Sequence, residues 1–461
     1  MDLFVDLSPG LGRQDAVEAA LRTAISAGRL APGAPLPSTR TLAAELGLAR
    51  GTVVAAVEQL AVEGLLETRQ GALTRVAHVP PPVTATRTQR SSPKAPRADF
   101  TGGEPDLTRF PRSWWAAAVR KSLAQADAST LGYGDPRGSI ELRAALVDYL
   151  GRTRGVTAAV EHVMVLSGFR QTLAMLARVL HRRGHRRIVV EDPALEVHLE
   201  LLRGAGLECA PISVDADGAQ VGMIDQHEVR AAQVTPNHHL PLGVSLSPAR
   251  RSELAAWAAS VDGFIIEDDF DGELRYDRRP LRALQALDPG RIAYCGTASK
   301  SVAPGLRLGW CVLPPALVEP AVGALVDMGG PTVSSLDQLA FAELMASGRY
   351  DRHVRTVRTE YRRRRDLLSS SLAAQVPGVR LEGVSAGLVG LIRLPADCDE
   401  DTVVARLADR SVAVMPLGIF RSTRSHRDEP AIVVNYGRPF GHQFAAAIEL
   451  LTSALADAIG H

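Results

Sequence analysis

Lysine is nearly absent from this chain: Lys94, Lys121 and Lys300 stand against 49 arginines. Where a cation need only be a charge, the chain uses arginine, which stays protonated in proteins. Cysteine is scarce too. Cys209, Cys295, Cys311 and Cys398 lie far apart without a CxxC pair. That argues against disulfides and for the cytoplasm, with all four as buried apolar thiols. No apolar run approaches the ~18 residues needed to cross a bilayer. The first seven residues are acidic, unlike a secretory leader. Excess charge is missing as well: the net is +1, so no global basic footprint points to nucleic acid. What remains is a chain of 461 residues, 46% hydrophobic and 22% charged. That is enough for two to four domains with ample cores.

A lysine kept in so arginine-rich a chain suggests chemistry arginine cannot do. A desolvated lysine loses its proton and can form a Schiff base. Lys300 follows the strand-like run Arg291–Cys295, lies among small and hydroxyl residues (Gly-Thr-Ala-Ser-Lys), and precedes Arg307 by seven positions. By itself, a Ser-Lys pair after a strand reads as a surface lysine. The segment, however, resembles the lysine motif of fold-type-I pyridoxal 5'-phosphate (PLP) proteins. That resemblance implies that Lys300 holds PLP covalently, while Thr297, Ser299 and Arg307 bind its phosphate.

Residues 1–77 carry a different pattern. Asp15–Gly28 has helical spacing and a glycine stop. After a Pro-rich connector, Ser38 is placed to cap a second helix that Gly47 closes. Arg50–Gly64 reads as a third helix, and the run around Gly71 as two short strands. Three helices and a hairpin make a winged helix-turn-helix, with Leu42, Leu46, Val53, Val57 and Leu60 as its core. Its third helix would enter the major groove of double-stranded DNA. Arg50 and Thr52 would then lie toward the bases, with Arg40 and Ser38 nearby and Gln70 at the wing tip. The run Gly28–Gly47, followed by Ala49-Arg-Gly-Thr-Val53, resembles the GntR family. Seven arginines against eight carboxylates leave the region at −1, so attraction to phosphate must come from placement of charge or from the segment that follows. A helical protein-interaction module is the plainer reading of the same helices.

Residues 78–98 are rich in Pro, Ser and Thr and carry Arg87, Arg90, Lys94 and Arg97 without an acid. They read as an extended spacer. Residues 99–461 alternate helical and strand patterns, as an α/β sheet protein does. Val163–Leu166 runs into Ser167-Gly168-Phe169-Arg170, a glycine turn that opens a helix and forms an anion cradle. Gly263–Tyr276 is an apolar strand ending in carboxylates. The resemblance to fold-type-I proteins implies that Asp268 pairs with the PLP ring nitrogen. Glu267, Asp269 and Asp271 read as the acidic loop beyond it.

Taken together, the head, spacer and body resemble the MocR family of bacterial regulators. The implied fold class is α/β, an N-terminal winged helix-turn-helix plus a C-terminal fold-type-I PLP-dependent aminotransferase-like domain. The implied partners are operator DNA and a second copy in a head-to-tail homodimer, with Tyr133 reaching the neighbour's cofactor. Several positions depart from the pattern. Leu195 stands where relatives stack a tyrosine on the ring, and Phe270 where they carry a hydroxyl. His238-His-Leu-Pro-Leu-Gly243 replaces Asn-Pro-Thr-Gly, placing His238 near the ring. Val433 occupies the position of the substrate-carboxylate arginine, with Arg438 as a possible substitute. The expectation is a non-enzymatic sensor of PLP. The alternatives are a sensor of an amino acid or amine captured on PLP, and an active aminotransferase carrying a DNA-binding head.

Overall fold

The computed structural model describes residues 12–69, 72–78, 95–276, 281–422 and 429–460. Contacts divide the chain into two compact units, Met1–Pro93 and Lys94–His461.

In the first unit, helices α1 (Arg13–Ser26), α2 (Thr39–Leu46) and α3 (Arg50–Val62) precede the antiparallel strands β1 (Leu66–Glu67) and β2 (Arg75–Val76). Val17, Leu21, Leu42, Val53, Val57 and Leu60 close the core, and Leu46 packs against it partly buried. The Ser38 hydroxyl accepts the Thr41 N–H at 3.1 Å and starts α2. Gly47, at φ +65°, ends it in the left-handed conformation that glycine adopts without strain. Ser38→Ala should cost about 1 kcal/mol, so the α2 amides should exchange hydrogen about fivefold faster. Exchange mass spectrometry of the full chain checks this. Arg40 and Arg50 are exposed and Thr52 half-buried. Gln70 lies outside the described residues, as do Arg87, Arg90 and Lys94 of the spacer.

The second unit begins earlier than its composition suggested. Ala98, expected in the spacer, is buried and pairs in parallel with Val412. A Pro- and Arg-rich run gives no local sign of such a distant partner. The body is built on an eight-stranded sheet. Its order is Val163–Leu166, Gly309–Val312, Ile292–Thr297, Phe264–Asp269, Ala231–Val234, Arg187–Asp192, Glu208–Asp215 and Gly218–Ala219. The central pairs are parallel, from Ile292–Thr297 across to Glu208–Asp215. Apart from the half-exposed Glu208–Asp215, their apolar runs are buried on both faces. A second sheet, of strands Arg380–Glu382, Val389–Arg393, Ala431–Asn435 and Met415–Pro416, carries its own core with the long helix Arg349–Gln375 and the last helix, Phe444–Ile459. Cys295 and Cys311 are buried as expected, but Cys209 and Cys398 are only half-buried. Among the described residues, no helix is long and apolar enough to cross a membrane.

Candidate functional site: a lysine cavity at the strand ends

Parallel sheets bind ligands beyond the carboxyl ends of their strands, where loops diverge. Here the strand Phe264–Asp269 ends in three acids, all buried. They are not a solvated loop. Glu267 accepts the Leu284 and Gln285 N–H groups at 2.8 and 2.9 Å. Burial pushes its carboxyl up to about 7. Asp269 anchors a buried network: Arg154 Nε at 2.9 Å, the Tyr294 hydroxyl at 2.7 Å and Asn237 Nδ2 at 2.8 Å. Asp271, just past the strand, meets His238 Nδ1 at 2.7 Å. Asp268 differs from all of these. Its Oδ1 is buried with no hydrogen-bond partner. Burial, with repulsion from Asp269 and Asp271, pushes its carboxyl far above the usual range.

Asp268 faces a cavity of about 430 Å³. Lys300, Thr297, Ser299, Arg307, Gly168, Phe169, Arg170 and Phe270 line it with Asp268, so most of the residues singled out in the sequence converge there. Lys300 is reached by the turn after Ile292–Thr297, and its Nζ donates to the Gly103 carbonyl at 2.8 Å. Burial lowers its pKa against the pull of Asp271, Asp268 and Glu104. Gly103 had no sequence signal, yet a Cβ there would stand 2.8 Å from that amine. The Thr297 hydroxyl bonds Ser299 Oγ at 2.9 Å and also contacts the Leu308 carbonyl at 3.1 Å. Arg307 adopts φ +50°, rare for a residue with a side chain, and lines the cavity. Gly168, at φ +101°, opens the helix Phe169–Arg182, whose first N–H groups have no helical partner and suit an anion.

Two of the residues expected at the cofactor lie elsewhere. Tyr133 is 99% exposed and outside the cavity of its own chain. His238 does not line the cavity either. It is buried against Asp271, and His239 forms part of the wall instead. Adjacent residues of a winding segment face opposite ways, and spacing alone could not choose between them. His239 Nε2 stands 3.8 Å from Glu191 Oε2. This is not an ion pair, because burial drives the histidine down to about 3 and the glutamate up to about 7. Leu195 and Leu240 also line the wall. Val433 is fully buried in the second core. Arg438 Nη2 is held by Asp99 at 3.0 Å, and its side chain does not line the cavity.

The fold and the site define a PLP-binding body of aminotransferase fold and a winged-helix head. Residues 99–431 match the model of aminotransferase class I and II, and residues 13–76 that of bacterial regulatory proteins of the gntR family. The chain is 34% identical to the pyridoxine biosynthesis transcriptional regulator PdxR of Corynebacterium glutamicum, over 86% of each chain. It is 31% identical to the uncharacterized HTH-type transcriptional regulator YhdI of Bacillus subtilis, over 94% of each. It is 33% identical to the probable rhizopine catabolism regulatory protein MocR of Rhizobium meliloti, over 75% of this chain and 74% of that one. Among solved structures, a kynurenine aminotransferase of Pyrococcus horikoshii superposes with a TM-score of 0.69 at 24% identity, covering 79% of this chain and 92% of that one. The chain belongs to the MocR family of GntR-type regulators with an aminotransferase-like body. PLP is the cofactor of that body, and the cavity fits it. The orphaned Asp268 oxygen lacks only a donor such as a ring N–H, and the hydroxyls, arginines and helix end suit a phosphate.

Proposed function

We propose that PLP is the signal this regulator reads, and that occupancy of the lysine cavity changes how it binds operator DNA. One observation carries the reading: the groups that hold a cofactor are present, whereas the position for gripping a substrate carboxylate is lost. Val433 is core, Arg438 is paired with Asp99, and the two cavity arginines, Arg170 and Arg307, flank the phosphate cradle. Bound PLP supplies an aldehyde and an electron-withdrawing ring. Lys300 offers the amine for covalent retention. Asp268 would pair with the ring nitrogen and keep it protonated. Ser299, Thr297, Arg307 and the helix end at Gly168 would hold the phosphate, and Phe270 and Leu240 would help to exclude water. Arg40, Arg50 and Thr52 would contact DNA, Ser38 as much by capping α2 as by touching phosphate. The exposed Tyr133 suits a head-to-tail homodimer in which it reaches the partner's cavity. The setting is the cytoplasm, and the body acts as a sensor rather than an enzyme.

A ligand shifts an equilibrium only through different affinities for its states. At one fixed salt concentration, PLP alone should therefore change operator affinity about tenfold, within the usual range of allosteric coupling. Fluorescence anisotropy with a labelled operator measures it. A response that needs an added amine as well as PLP would move the signal to that amine. Multiple-turnover keto-acid production would make the body an enzyme.

A further inference from the structure

We propose that His198 supplies the aromatic face for the cofactor ring that Leu195 lacks. The inference rests on PLP occupying this cavity. Asp268, Lys300 and the phosphate cradle hold such a ring by its edges and ends, and none of them covers a face. Relatives that carry an aromatic residue at position 195 would cover one. Here Leu195 immediately precedes the helix Glu196–Gly204, and the His198 N–H donates to the Leu195 carbonyl at 2.8 Å. His198 therefore sits one turn on, on the same helix side, and both residues line the cavity.

The surroundings orient the imidazole. It packs against Phe169 with centroids 5.0 Å apart and planes at 65°. Phe169 opens the helix whose N-terminus forms the phosphate cradle. Burial, reinforced by Arg170 and Lys300, lowers the His198 pKa to about 4. The ring is then neutral at physiological pH and does not repel a protonated pyridine. His198 shares the cavity wall with Leu195 and Phe169, which puts its imidazole within reach of a ring held there. The substitution pattern Leu195 with His198 thus moves the stacking group by one helical turn.

The test is PLP titration of the full-length protein, followed by absorbance, for native chain, His198→Phe and His198→Leu. Stacking in aromatic pairs predicts that His198→Leu weakens PLP binding about three- to tenfold while His198→Phe stays near native. In proton NMR of the native chain, the ring resonances of His198, identified by their loss in His198→Phe, should move upfield when PLP is added. Should His198→Leu fail to fold by circular dichroism, the NMR shift and the His198→Phe affinity decide. Equal affinity for the leucine variant, or unmoved His198 resonances in PLP-loaded protein, overturns the assignment and leaves PLP binding standing. A native chain that takes up no PLP overturns both.

Discussion

Replacing Lys300 by alanine abolishes the visible absorbance that the protein retains after PLP loading and gel filtration, and with it any response of operator binding to PLP. Covalent retention needs an unprotonated amine at the aldehyde. Burial disfavours the ammonium form of Lys300, while Asp271, Asp268 and Glu104 pull the other way, with a net lowering. The neutral amine is thus more populated than in free lysine. The sign follows: PLP uptake quickens as pH rises and levels off below the 10.5 of an ordinary lysine. Lys300→Arg should fail like alanine, because a guanidinium does not give up its proton. The near-absence of lysine makes the experiment clean. Lys121 is engaged with Glu343 at 2.6 Å, so Lys121→Ala should leave PLP uptake intact. A retained band in Lys300→Ala would sink the assignment of the attachment site.

Arg154→Ala should cost the body about 3–5 kcal/mol of stability, the usual consequence of removing one partner of a buried ion pair. Arg154 and Asp269 are both buried, and the guanidinium also donates to the Gly272 carbonyl at 3.2 Å. Without Arg154, Asp269 keeps only Tyr294 and Asn237 while remaining next to Asp268. Repulsion between Asp269 and Asp268 that the arginine had offset is then released. Urea unfolding of the cofactor-free chain should show the drop. The double variant Arg154→Ala, Asp269→Ala should recover part of it, since no uncompensated charge is left behind. A single-variant loss under 1 kcal/mol would mean that the network is wet or easily relaxed.

The features readable along the chain are those made by neighbours in sequence. The Ser38 cap, the Gly47 stop and the helical spacing of α1 to α3 depend on contacts within a turn or two, so residue order states them directly. The Lys300 segment is similar: a strand, a tight hydroxyl-rich turn and an arginine seven residues on come from one continuous run. The glycine turn at 168 and the acid at 268 were legible as strand-end features, and the sheet brings both to the lysine.

Other parts of the site come from partners far apart in the chain. Whether an acid after an apolar strand faces solvent or a buried arginine depends on Arg154, 115 positions away from Asp269. Gly103 meets Lys300 across 197 positions. His239 rather than His238 enters the wall because of how the chain winds after Ala231–Val234, and His198 joins the cavity because a separate helix lays it beside Phe169. Ala98 passed for spacer until its partner strand, Val412–Ala413, was in place. The physical division is one of range. Capping, turn geometry and periodicity act through a few bonds and are written locally. Burial, orphaned polar atoms and shifted pKa values depend on what the sheet register and helix packing bring across the core, and no single run of residues carries that information.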